Sequence, residues 1–247
     1  MKNVFFASTL NEIEKLSGKK KVWMLPILAF ILTAFALWGL IQLKLRSGIL
    51  PISPEQFPAL ILGWFTGIIL PLFIVMAGAD MFSGEITERT IKLSLLKPIS
   101  RFKIYMSKIL ALSVYIIGTL VLVFLLSNIA AVFLGSGVNI FGTLIVYLAA
   151  MLPMLLIAFS VALISQFFKS GSGVMVFSIL FYIASQALSF IFPEASDFLI
   201  STYINWHTLF IGAGASGGRI LTLFMFMVSY SIIILTSGYY LFERKEL

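Results

Sequence analysis

The sequence predicts an all-α integral membrane protein with six transmembrane helices, and three observations point to it. First, 60% of the 247 residues are hydrophobic and 11% are charged, with a mean hydropathy of +1.08. A soluble domain carries about 25% charged residues, so a water-soluble enzyme is excluded. Second, the apolar residues form uncharged runs that reach the roughly 20 helical residues needed to cross a hydrocarbon core of about 30 Å. Segments of about 10 residues with alternating hydrophobicity, the mark of an outer-membrane barrel, are absent. Third, the basic residues sort by loop. With the N-terminus inside, Lys2, Lys15, Lys19, Lys20, Lys21, six residues after the second span, Lys169, Arg244 and Lys245 share one side, leaving Lys44, Arg46 and Arg219 opposite. The positive-inside rule then places both termini in the cytoplasm. The net charge of +7 thus reads as membrane orientation and not as a nucleic-acid partner. The lack of cysteine excludes disulfides, iron–sulfur clusters and thiol catalysis.

The elements follow in chain order. Residues 1–21 carry charges throughout and no cleavable apolar core, so the segment is expected to be retained. At 100° per residue Phe5, Phe6, Leu10, Ile13 and Leu16 fall within an arc of about 140°, with Ser8, Asn11, Glu14 and Lys15 opposite. This is an interfacial helix stopped by Gly18, with the lysine triplet at phosphate level. The spans cover residues 22–43, 57–79, 104–134, 140–168, 174–192 and 220–242 of a single transmembrane domain, 1–247. Pro71 and Pro153 lie within long spans and are expected to kink them. The segment 193–218 is too apolar for a free loop and reads as extracellular re-entrant or surface helices, with Tyr203 and Trp206 at headgroup level.

The loop 80–103 and the residues up to Lys108 hold nine of the 27 charged residues. Glu85 with Arg89 and Glu88 with Lys92 are i,i+4 pairs in the favoured order on a short helix ended by Pro98. Ser100 is placed to cap a new helix running into the third span. The apolar face with Ile86, Thr90 and Leu93 must pack on the spans or on a partner. A basic loop held against anionic headgroups through Lys97, Arg101 and Lys103 is the blander alternative.

In order, the chain offers Asp80, Gly84-Glu85-Ile86, Thr90-Ile91-Lys92, Leu95-Leu96, Pro98-Ile99-Ser100-Arg101 and Lys108. This string resembles the permease subunits of type 2 ATP-binding-cassette exporters, from which Arg89 departs where many members have Gly. The resemblance implies that the loop is a coupling helix seated in a separate cytoplasmic ATPase subunit, present in two copies. A second permease subunit, identical or related, would complete the pathway. Glu85, Glu88, Arg89, Lys92, Pro98 and Arg101 are then the residues expected to couple to the ATPase. ATP and Mg²⁺ would be bound by that partner, and this chain would bind no cofactor and catalyse nothing itself. In agreement, no G-x-x-x-x-G-K-[ST] loop occurs in the chain. The expected function is export of a hydrophobic or amphipathic substrate, such as an antimicrobial peptide or drug, across a bacterial or archaeal cell membrane. The alternative from another class is a non-transporting membrane scaffold or sensor whose basic loop binds lipid or a regulator.

The remaining polar residues support no other chemistry. His207 is the sole histidine, and Glu194 and Asp197 are too few to complete a metal site with it. No span contains an Asp, Glu or His away from its ends, as a proton- or sodium-coupled carrier would need. Asn128 and Gln186 read as interhelical packing.

Overall fold

The computed structural model describes residues 4–48, 52–85, 99–135, 139–192, 199–211 and 216–245. Helix α1 covers Val4–Ser17 and α2 Lys20–Ser47, and α3 runs over Pro54–Gly84. Helix α4 covers Arg101–Leu134, α5 Ile140–Ile164, α6 Gly171–Ile191 and α7 Gly217–Arg244, with a 3₁₀ stretch at Ile200–Phe210 before α7. Among the described residues, α2 to α7 are six helices long and apolar enough to cross a membrane. Gly18 and Lys19 separate α1 from α2, where the Gly18 amide donates to the Glu14 carbonyl and the Trp23 indole donates to the Ser17 carbonyl at 2.7 Å.

Helices α4 and α5 form the centre. Helix α4 packs against α1, α2, α3, α5 and α7, and α5 adds contacts to α3, α7 and the 3₁₀ stretch. Leu112, Ile116, Leu120 and Val123 of α4 and Ala150, Leu156 and Ala162 of α5 are buried there. The outer helices turn large apolar side chains outward instead, among them Trp23, Phe30 and Trp38 of α2, Val176 and Phe181 of α6, and Phe226 and Ile233 of α7. Lipid is as apolar as these side chains, so their exposure costs nothing in a bilayer and small residues decide where helices meet. At Gly78 of α3 a Cβ would come within 2.8 Å of Val161 Cγ1 on α5, so this crossing requires glycine.

Proline sets a second layer of ties. A proline inside a helix has no N–H to give the carbonyl four residues back, and in hydrocarbon that carbonyl has no water to turn to. Within the described spans, the carbonyls opposite Pro26, Pro71 and Pro153 are each met by an aromatic donor from another element. Opposite Pro26 of α2, the Val22 carbonyl accepts from the Tyr115 hydroxyl of α4 at 3.5 Å. Opposite Pro71 of α3, the Gly67 carbonyl accepts from Tyr182 of α6, whose hydroxyl also receives the Gln186 amide at 3.2 Å. Opposite Pro153 of α5, the Ala149 carbonyl accepts from the Trp206 indole at 2.7 Å.

The last of these ties involves one of the two aromatic residues expected at headgroup level. Tyr203 and Trp206 are buried inside the protein against α5 and α7, because the released Ala149 carbonyl claims the indole N–H. We predict that Trp206→Phe lowers the melting temperature of the detergent-solubilised chain, as an unsatisfied buried carbonyl costs about 1–3 kcal/mol. In a Pro153→Ala background the same change is expected to cost less, since alanine at that position restores the missing donor. Equal losses in the two backgrounds would disprove the pairing.

Helix α3 departs twice from the α pattern, with π turns at Phe65–Ile69 and Asp80–Gly84. Such bulges redirect carbonyls and often mark functional positions. The second one opens the functional site.

Candidate functional site: a buried ring of charges at the root of the first long loop

The amphipathic helix α1 packs on α4, but the face it buries is not the centre of its apolar arc. Glu12 and Leu16 are buried, while Phe6 and Leu10 are 63% and 43% exposed. One edge of the arc therefore meets the protein and the other remains for lipid, as an interfacial helix requires. Thr9 on the buried side donates to Ser107 of α4 at 3.4 Å.

Glu12 lies opposite Lys108 of α4, which is fully buried. The Lys108 Nζ donates to Glu12 Oε2 at 2.8 Å, to Glu85 Oε2 at 2.6 Å and to the Met81 carbonyl at 2.9 Å. All three ammonium protons are used, which is the condition for keeping a buried lysine charged. Met81 belongs to the second π turn of α3, so that bulge contributes the third acceptor. On the other side Lys15 Nζ bonds Glu12 Oε1 at 2.8 Å and Glu85 Oε1 at 3.1 Å. Each carboxylate thus bridges two ammonium groups, and the order Lys108, Glu12, Lys15, Glu85 closes into a neutral ring tying α1, the end of α3 and α4.

The electrostatics follow from that closure. Burial pushes the Glu12 carboxyl up, but the charge and hydrogen bond of Lys108, aided by Lys15, bring it below its ordinary 4.5. Burial pushes Lys15 down, but its bonds to Glu12 and Glu85 carry it above 10.5. A depressed carboxyl contributes stability above 4.5 and loses it as pH falls through the folded value; a raised lysine contributes below 10.5 and loses it as pH rises through its own. At neutral pH both contributions are present, and that of Glu12 is lost on the acid side. We predict that the melting-temperature gap between wild type and Glu12→Gln is largest at neutral pH and closes below 4.5. A gap independent of pH would remove the charge from the explanation.

Around the ring, the other charges at this end of the bundle complete helix termini. Asp80 approaches Lys19 Nζ at 3.5 Å and Lys21 Nζ at 4.0 Å, drawing the start of α2 toward the second π turn. Arg101 Nη1 donates to the carbonyls of Glu243 at 2.6 Å and Lys245 at 3.1 Å, closing the end of α7. Lys245 Nζ does the same for α5, donating to Ser165 and Phe168 carbonyls at 3.1 and 3.3 Å, and the Ser83 hydroxyl joins it on Ser165 at 3.0 Å. Cations at helix C-termini also complement the helix dipole. Ser100 sits at the N-cap of α4 in extended backbone geometry, but its side chain makes no capping bond.

Of the six residues expected to couple to an ATPase, the structure describes two. Glu85 points inward to Lys108 and Lys15, and Arg101 closes the end of α7. Glu88, Arg89, Lys92 and Pro98 lie outside the described residues, as does the rest of the short helix expected there. The motif residues Glu85 and Lys108 are brought together, joined by Glu12 and Lys15, which the sequence reading did not select. Glu12 sits at the border of the apolar arc of α1, where a carboxylate looks like an ordinary surface charge; its signal was the proximity to that arc. His207 is buried in the 3₁₀ stretch, its Nδ1 3.0 Å from the Ile204 carbonyl.

The model of a family described as ABC-2 family transporter protein matches residues 6–247 of the chain. A search of curated proteins found no match.

Proposed function

Since the chain belongs to the ABC-2 family of transporter proteins, we propose that it is the permease subunit of an exporter driven by ATP hydrolysed on a separate cytoplasmic subunit. The observation that carries this reading is the family match, which runs over residues 6–247 and includes the six helices that, among the described residues, are long and apolar enough to span a membrane. The family is a membrane component and not itself an ATPase, and its membership implies association with an ABC ATPase. In our reading the termini and the ring face the cytoplasm, two ATPase copies dock there, and a second permease subunit completes the pathway. The cargo is hydrophobic or amphipathic, of the kind an antimicrobial peptide or drug presents.

The ring supports a route for the force. The loop leaves α3 at Glu85 and rejoins the bundle before Arg101, so whatever moves residues 86–98 pulls on Glu85 first. Because Glu85 is bonded to Lys108 and Lys15, the pull is shared by α1, α3 and α4 as one body. Glu85 thus acts as a positioning residue that anchors the segment, while Glu88, Arg89 and Lys92 supply the surface that meets the ATPase. Rigid-body movement of a packed element is a common means of switching between two arrangements of a bundle.

Co-purification tests this reading. From native membranes the chain is expected to bring down a stoichiometric ATPase with a nucleotide-binding fold, and Glu88→Lys combined with Arg89→Glu should lose it. A stable preparation free of any ATPase, unchanged by those substitutions, would refute the proposal.

A further inference from the structure

Helix α6 packs more on α3 than on α5, which leaves space between α5 and α6. Two adjoining hollows occupy it. The smaller, about 20 Å³, reaches in to Val75 of α3 and is lined by Ser160, Ser178, Tyr182 and Ser185. That is room for one water-sized group. The larger, about 450 Å³, lies toward α7 among Leu163, Phe167, Phe168, Phe177 and Ile234, within the size of small-molecule sites. Ser160, Ile164 and Phe181 line both, so the small hollow is a polar annex of the large apolar one. Phe177 and Phe181 are close to half exposed, which leaves the larger hollow open sideways to the bilayer.

Hydroxyls on these helices return to their own backbone. Ser113 and Thr119 of α4, Ser160 of α5 and Ser185 of α6 each donate to a carbonyl three or four residues back, at 2.8 to 2.9 Å. Ser178 of α6 departs from this pattern. It is 3% exposed, and its hydroxyl has no partner among the described residues. A buried donor left in this way is costly, the more so in hydrocarbon. Across the small hollow, Ser160 has given its proton to the Leu156 carbonyl, and its oxygen can still accept. The hollow thus offers a proton and an acceptor to a group the size of one oxygen, and a hydroxyl answers both.

The surroundings narrow the rest of the ligand. No Asp, Glu, Lys, Arg or His lines either hollow, so a charged molecule has no counterion there. Ser178 lies seven residues into α6, roughly 10 Å along the helix, too deep for the headgroup of a phospholipid. Water alone would answer the hydroxyls and leave the apolar hollow, and a lipid tail would fill the apolar hollow and leave the hydroxyls. We propose that the two hollows bind an uncharged apolar alcohol, its hydroxyl accepting from Ser178 and donating to Ser160 and its apolar body lying among the phenylalanines. The site belongs to the chain itself and is independent of its reading as a transporter.

Photolabelling tests the site, with a long-chain alcohol carrying a diazirine offered to the chain in phosphatidylcholine nanodiscs and the label mapped by mass spectrometry. Wild type is expected to show saturable labelling within residues 160–181. Excess dodecanol should compete at least about fivefold better than dodecane or dodecyl methyl ether, the size of one or more hydrogen bonds. Ser178→Ala should cut the saturable labelling by about the same factor. Ser113→Ala, whose hydroxyl is satisfied within α4, should leave it unchanged. The comparison of competitors uses the wild-type chain and so does not depend on any variant folding. Equal competition by dodecanol and dodecane would overturn the proposal, as would full labelling of Ser178→Ala. So would a structure, solved with the probe present, in which a single ordered water alone meets Ser178 and Ser160.

Discussion

Lys108→Met is expected to destabilise the solubilised chain by about 3–5 kcal/mol, the cost of removing one partner from a buried ionic group. Met matches the length and apolar stem of lysine, so the loss is not one of packing volume. It leaves Glu12 and Glu85 facing each other in a buried site without the ammonium between them, while Lys15 still bonds both. Lys15 is 38% exposed at its side chain, and its screened charge cannot replace a fully buried ammonium. The Met81 carbonyl loses its donor as well. The expected readout is a lower melting temperature, with recovery on adding Glu12→Gln and Glu85→Gln, which removes both stranded charges. If Lys108→Met melts with wild type, the ring is no part of what holds α1 and α3 to α4.

Glu85→Gln should produce a different phenotype. Glutamine keeps the shape and one acceptor, so assembly with the ATPase should survive, but the ring loses its neutrality and the bond from Lys108 loses its charge assistance. The loop is then held less firmly to α4, and its movement is spent at its root. In proteoliposomes holding the complex we expect ATP hydrolysis near the wild-type rate and transport per ATP reduced on the order of tenfold, within the range by which residues on a coupling route act. This contrasts with Glu88→Lys and Arg89→Glu, which should lose the ATPase itself. Equal loss of ATPase binding from Glu85→Gln would mean that Glu85 is a contact and not an anchor.

The parts legible in the sequence and the parts that were not differ for physical reasons. The spanning helices announce themselves because hydrophobicity is summed over about 20 consecutive residues and tolerates errors at either end. Helix α1 shows in its periodicity. The ties to Val22, Gly67 and Ala149 do not, because the donors Tyr115, Tyr182 and Trp206 come from distant positions that share no period with the prolines they serve. Trp206 reads as an interfacial aromatic until the carbonyl freed by Pro153 shows where its indole goes. The π turns of α3 are invisible to hydropathy, since one extra residue per turn leaves composition unchanged. Glu85 and Lys108 were visible as a motif, and the expected direction of Glu85 was outward to a partner. Its inward direction depends on Glu12 and Lys15, and only the packing of α1 on α4 supplies them.

The central claim is that α1, the end of α3 and α4 move as one body when an ATPase works on the loop. The chain has no native cysteine, so paired spin labels can be placed at will. Labels at the exposed positions Glu14, Phe102 and Ser172, each replaced by cysteine, report on α1, α4 and α6 at the same end of the bundle. Between the nucleotide-free and ATP-trapped complexes, the 14–102 distance is predicted to hold constant while the 102–172 distance shifts by several ångström. A change in the 14–102 distance, or constancy of both, would contradict the account.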